Sequence, residues 1–239
     1  MASEPTNDSR EATVASSTVK EQAVEVAVFL FLIVPSMILS LFVVRQGGLS
    51  FVLTAVATIL RDLGLVSLIL FFLWRNGESV ERIGWTLRRV GRDAALGAAL
   101  FVPFVFGAAL LERGLLQAGL SRPATPLPSF LEARGGTEFL LAAVLVAVVA
   151  LAEETIFRGY LMLRFQSLLW SSARAVLLSS VIFSLGHGYE GSAGLATVGV
   201  MGGVFAVIYL WRQSLVAPIV MHFLQDFLSI VLLPFWGMR

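Results

Sequence analysis

The sequence predicts an all-α fold, a polytopic transmembrane helical bundle of about seven spans, roughly six to eight. Three observations carry this. Hydrophobic residues form 57% of the 239-residue chain and charged residues 14%, against ~25% charged in soluble domains. Mean hydropathy is strongly positive. Apolar runs long enough for a span of ~20 residues recur from Val24 to Trp236. The formal net charge of +1, with no basic arm or aromatic-basic patch, predicts no nucleic-acid partner. Cysteine is absent, which excludes disulfides and thiolate metal sites.

Residues 1–22 are polar and rich in Ser, Thr, Glu and Ala, and read as a disordered tail. They lack the basic, apolar and small-residue order of a cleaved signal peptide. Residues 23–239 read as a single transmembrane helical domain. The first span runs from Val24 to Val44, with Pro35 as a kink position. The second covers Phe51 to Trp74. Arg61-Asp62 interrupts it, either as a break between two shorter helices or as a second polar contact in the bundle. The third runs from Ala94 to Leu111 and contains Pro103. The stretch from Glu112 to Thr137, with Pro123, Pro126, Pro128, Gly135 and Gly136, reads as an irregular loop. The fourth span begins near Phe139. The fifth, sixth and seventh cover Ala173 to Gly188, Ala193 to Trp211 and Val216 to Trp236. In the sixth, Gly199 and Gly203 form a small-xxx-small pair suited to close helix packing, and no chemistry is assigned to that helix. Glu25, near a helix start, is expected to reach water. Trp74, Trp85, Trp211 and Trp236 stand near span boundaries as interfacial anchors. Arg75, Arg82, Arg88, Arg89 and Arg92 crowd the loop after the second span. By the positive-inside rule that loop and the amino terminus are cytoplasmic, in a multi-pass protein of the plasma membrane surrounded by lipid bilayer.

Ionisable groups at bilayer depth are costly, at roughly 3 kcal/mol on insertion scales, so those that occur there are functional candidates. The chain has two histidines, His187 and His222, and both lie in apolar segments. A third apolar segment carries Glu153-Glu154-Thr155-Ile156-Phe157-Arg158. Glu154 and Arg158 are four apart and can pair on one helix face. Glu153 points about 100° away, desolvated and beside another carboxylate. In such a setting a glutamate can take and give protons near neutral pH. His222 and Asp226 are four apart and share a face, so Asp226 can set the imidazole tautomer or join His222 in facing a substrate. Each group also has a plainer reading: an ion cluster at a helix end, a histidine cap ahead of Gly188, a polar pair that satisfies itself. Depth favours a common site. At ~1.5 Å per residue, Glu154 lies ~15 Å from the level of Arg164, His187 ~20 Å from Arg174, Asp226 ~16 Å from Leu215, and His222 ~10 Å. The levels agree only if the fourth helix runs past Arg158 to about Arg164.

These segments resemble the CPBP family of CAAX proteases and bacteriocin-processing proteins, also called the ABI family. Its pattern is Glu-Glu-x-x-x-Arg, Phe-x-x-x-His and His-x-x-x-Asn or Asp, each on its own transmembrane helix. This chain supplies Glu153 to Arg158, Phe183 to His187 and His222 to Asp226, and the likeness covers a catalytic core of about residues 138–235. The resemblance implies an intramembrane endopeptidase acting on a membrane-associated peptide or protein. In it Glu153 and His187 activate the attacking water. His222 and Asp226 stabilise the oxyanion, and Glu154, Arg158 and Phe183 support them. Asp226 stands where Asn is more usual, and an ionised aspartate cannot donate to an oxyanion. Zinc is a candidate cofactor through Glu153, His187 and His222, although no His-Glu-x-x-His is present. Two other functions compete: a non-catalytic self-immunity factor or scaffold on the same fold, and a proton or metal relay transporter. The transporter would call for inverted repeats, and the sequence shows none.

Overall fold

The computed structural model describes residues 18–43, 50–122 and 132–236. Most of the expected tail, Val44, Arg45, the loop prolines Pro123, Pro126 and Pro128, and Arg239 lie outside the described residues. Among the described residues all regular structure is helical. In chain order the helices are α1 (Val19–Val43), α2 (Phe51–Arg75), α3 (Val90–Gln117), α4 (Gly136–Leu169), α5 (Ser172–Leu185), α6 (Gly191–Arg212) and α7 (Val216–Phe235). Five of these stretches, α2, α3, α4, α6 and α7, are long and apolar enough to cross a membrane. Phe31, Phe106, Leu110, Leu140 and Leu177 are exposed on the outside of the bundle. In water that would be an association hazard, but in a bilayer it is the lipid face.

Several boundaries differ from expectation for local reasons. α1 starts at Val19, ahead of Val24, because Thr18 and Glu21 form a reciprocal capping box. The Thr18 amide donates to Glu21 Oε2 (2.7 Å) and the Glu21 amide to Thr18 Oγ1 (3.3 Å). α3 continues through Glu112 and Arg113 to Gln117, so the first part of the expected loop is helix. α4 starts at Gly136 rather than Phe139 and runs unbroken past Arg158 and Arg164 to Leu169. Its segment Glu154–Leu161 is widened to π-helical spacing. α2 is not broken at Arg61-Asp62. The long Arg61 side chain folds back so that Nε donates to Asp62 Oδ1 (2.9 Å), neutralising the pair within one continuous helix. α5 has 14 residues and stops at Leu185, not Gly188. It rises ~21 Å, short of the ~30 Å apolar core. The connection Gly186–Glu190 therefore sits at depth, where irregular backbone is tolerated only if it is buried in protein or lines a cavity.

One end of the bundle is tied by a buried ionic network. Glu25 does not reach water; it is 4% exposed. Its carboxylate pairs with Arg75, accepts from Asn76 Nδ2 (2.9 Å) and Tyr160 OH (3.3 Å), and lies 3.3 Å from Arg164 Nη2. Arg164 also donates from Nη1 to Glu78 Oε1 (3.0 Å), and Arg82 pairs with Glu78. Burial alone would raise the Glu78 carboxyl, but the guanidiniums of Arg164 and Arg82 outweigh it and hold it below its ordinary value. Asp93 at the start of α3 pairs with Arg212 at the end of α6 (2.7 Å). Arg75, Arg82, Arg164 and Arg212 thus gather at one end. Gly84, between α2 and α3, has φ +85°, and a Cβ there would come within 2.6 Å of the Tyr209 ring. Only glycine lets this loop close against α6 and α7, where its carbonyl accepts from the Leu215 amide (3.1 Å).

Candidate active site

α4 positions the first group. Its π-widened turn is gripped from two sides. Trp85, from the loop after α2, donates its indole N–H to Thr155 Oγ1 (3.0 Å), and Thr155 donates to the Leu151 carbonyl (2.7 Å). Trp85 is therefore a half-buried clamp on α4, tied to Thr155, whereas Trp74, Trp211 and Trp236 are exposed. From α5, Ser179 donates to the Phe157 carbonyl (2.7 Å). All eight residues of the widened turn are buried. Such turns recur at functional sites because they re-aim side chains out of the regular helical register.

Glu154 and Arg158 pair as their spacing predicts, with Arg158 Nη1 3.0 Å from Glu154 Oε1 and both side chains at 1% exposure or less. The guanidinium lies 4.1 Å from the Phe183 ring centroid and 5.3 Å from that of Phe205, so two aromatic faces add to its electrostatic support. Gly202 of α6 makes room for it. A Cβ there would stand 3.0 Å from both Arg158 Nη2 and Phe183 Cδ1. By contrast a Cβ on Gly199 or Gly203 would meet Ser184 or Ser180 at ordinary contact distances, 3.5 and 3.7 Å. Of these three glycines Gly202 is the tight one, and α6 supports the site instead of merely packing. Gly202→Val is expected to cost about 1–3 kcal/mol by overpacking and to lower the melting temperature in detergent. Gly199→Ala, measured alongside, should leave it unchanged.

Glu154 Oε1 is shared. It also accepts from His222 Nδ1 (2.8 Å), which makes Nδ1 the protonated nitrogen and turns Nε2 outward. Nε2 faces Asp226 Oδ2 at 3.4 Å and Glu153 Oε2 at 3.7 Å. The tautomer of His222 is therefore set by Glu154 of α4, not by Asp226 on its own helix. His187 stands in the connection after α5. Its Nδ1 is 3.2 Å from the Phe183 carbonyl. A carbonyl only accepts, so Nδ1 carries a proton, and Nε2 is the nitrogen that can accept when the ring is neutral. Phe183 is the shared surface: its ring lies 4.9 Å from that of His187 and 6.1 Å from that of His222.

Glu153, Phe183, His187, His222 and Asp226 all line one cavity of about 620 Å³ inside the bundle. Glu154 and Arg158 lie behind its wall. Arg61 and Asp62 of α2 line the cavity too, which is the second polar contact the sequence left open, and the structure adds groups the sequence reading passed over: Glu112 from α3, Tyr189 and Glu190 from the connection after α5, and Gln225 from α7. Gln225 was legible, being three residues from His222 on the same helical face. Glu190 and Glu112 gave no periodic signal, since one sits in an irregular connection and the other at an extended helix end. Among the described residues, no three His, Asp or Glu side chains are grouped to hold a metal ion. Zinc at Glu153, His187 and His222 therefore has no preformed three-ligand group among the described residues.

Residues 135–228 match the family of Rce1-like type II CAAX prenyl endopeptidases. No curated protein and no solved structure matches the chain. The matched stretch holds all three polar motifs, while α1, α2 and α3 lie outside it. Its relatives are proteases, and its apolar helices require a lipid bilayer. The protein is an integral membrane protein whose residues 135–228 are similar to the Rce1-like CAAX endopeptidases, a family of membrane proteases.

Proposed function

We propose that the protein is an intramembrane endopeptidase that hydrolyses a peptide bond of a membrane-associated substrate by the glutamate route. The observation that carries this is the placement of His222. Glu154 fixes it at Nδ1, and its Nε2 is turned to Glu153 and Asp226 in a cavity also lined by His187. Glu153 takes a proton from water as the water oxygen attacks the carbonyl carbon. His187, accepting through Nε2, orients that water. The carbonyl π pair moves to oxygen, and the oxyanion accepts a hydrogen bond from Nε2–H of a protonated His222, with Asp226 offsetting the charge of the ring. Glu153 then returns the proton to the leaving nitrogen as the C–N bond breaks. Asp226 needs no hydrogen of its own in this scheme, which accounts for its standing where Asn is more usual. The low dielectric of the bundle interior strengthens each of these interactions. The Arg-rich end of the bundle lies in the cytoplasm, together with the amino terminus.

Purified protein in detergent, incubated with a peptide library beside Glu153→Ala protein, tests this. Cleavage by the first and not by the second supports it, and identical cleavage by both sinks it. The glutamate route also predicts that a strong chelator leaves the rate unchanged. A rate lost to chelation and restored by zinc would replace the glutamate route with a metal one.

A further inference from the structure

α2 lies outside the stretch shared with the protease family, yet it supplies one wall of the cavity. Thr54, Thr58 and Asp62 are spaced by four residues and all line it, a polar stripe ~12 Å long on one helix face. Asp62 is 1% exposed in an apolar helix, a placement that is costly unless something repays it. Arg61 meets one carboxylate oxygen, Oδ1, at 2.9 Å. The other, Oδ2, is buried with no hydrogen-bond partner. An unpaired buried acceptor is expensive, and here it belongs to a residue that lines a cavity large enough for a ligand. Arg61 is the only Lys or Arg among the described residues lining that cavity, whose wall also carries Asp62, Glu112, Glu153, Glu190 and Asp226. Its side chain is 53% exposed, and Nε and Nη2 alone engage Asp62, which leaves Nη1 free to donate. Both Arg61 and Asp62 lie within electrostatic reach of Glu153.

We propose that Arg61 and Asp62 form a second polar subsite, opposite Glu153, that docks the main chain of the substrate peptide: Asp62 Oδ2 accepts a main-chain N–H and Arg61 donates to a main-chain carbonyl. The proposal rests on the peptidase reading and names how that site holds its substrate. An adjacent acceptor and donor match the alternating groups of an extended peptide, whatever its side chains. The pair is neutral as a unit, so a cationic side chain would gain little from Asp62 beside Arg61. A stripe of ~12 Å accommodates roughly three to four extended residues. Asp62 and Arg61 are positioning residues, since they hold the peptide and do not touch the reacting atoms.

The test uses full-length protein carrying Glu153→Gln, so that binding is read without turnover. The probe is a fluorophore-labelled peptide selected from the library by binding to that protein. A series of its analogues replaces one backbone N–H at a time by an ester oxygen. Asp62→Ala is expected to raise Kd by roughly tenfold to a hundredfold, the range for a hydrogen bond to a charged group. One ester position should cost roughly tenfold against Asp62 and less than about twofold against Asp62→Ala. In the cleaving protein, Asp62→Asn, which turns a cavity-facing acceptor into a donor, should raise KM and leave kcat within about threefold. Asp62→Asn keeps the shape of the side chain and carries the binding test if Asp62→Ala does not fold. An unchanged Kd, ester costs that are alike with and without Asp62, or a loss in kcat at constant KM would each overturn the subsite. A position-specific ester effect without any cleavage would sink the peptidase reading and leave the subsite standing. Cleavage that depends on Glu153 but shows no ester effect would do the reverse.

Discussion

Glu153→Gln is expected to lower the rate of peptide hydrolysis by about 10²–10⁴-fold, the usual contribution of a positioned general base. Glutamine keeps the shape of the side chain but cannot take the proton of water at neutral pH, so the loss should fall on kcat and leave KM nearly unchanged. Glu153 Oε2 has no hydrogen-bond partner and stands 3.7 Å from His222 Nε2. Removing its charge therefore disturbs little packing, and the melting temperature should stay close to that of the parent. Steady-state kinetics on a cleaved library peptide would check this. A glutamine variant within tenfold of the parent would remove Glu153 from the role of base.

Arg158→Ala is expected to destabilise the bundle by about 3–5 kcal/mol, because it strands the fully buried Glu154 carboxylate without its cationic partner. Glu154 is 0% exposed, its Oε2 already lacks a partner, and its Oε1 is the acceptor that orients His222. The same change also empties the space between the Phe183 and Phe205 rings. Two deficits should appear together: a lower unfolding midpoint in a detergent–denaturant titration, and a loss of activity from a His222 no longer held in one orientation. Adding Glu154→Gln should recover part of the stability and none of the activity, since a neutral partner can be buried but no longer balances the imidazole charge. A double variant no more stable than Arg158→Ala would show that the arginine acts through packing rather than charge.

The pairing of Glu154 with Arg158 was legible at once, because residues four apart on a helix meet wherever the helix goes. The run of α4 past Arg158 was legible from the apolar residues beyond it, and the common level of the three motifs followed from helical rise. What misled was local. Arg61-Asp62 read either as a helix break or as a second polar contact, because a charged dipeptide in an apolar run carries no mark of which partner will neutralise it; the helix is continuous and the contact is the outcome. Glu25 looked wet because its partners, Arg75, Asn76, Tyr160 and Arg164, are remote in sequence. Trp85 looked like an interfacial anchor because its acceptor, Thr155, stands on another helix. The small-residue pair Gly199 and Gly203 matched a packing pattern, but Gly202 between them is the tighter position, crowded by a side chain arriving from α4.

By itself the sequence determined that the chain is a helical membrane protein and which polar residues are costly enough to need a purpose. Composition and apolar run length act locally and survive any arrangement of helices. Only the tertiary structure decided that Glu154 rather than Asp226 orients His222, that α6 yields space to Arg158, and that α2 presents Asp62 to the same cavity as Glu153. These are contacts between helices, set by rotation about each axis and by distances of a few ångströms. No periodicity along a single chain encodes them.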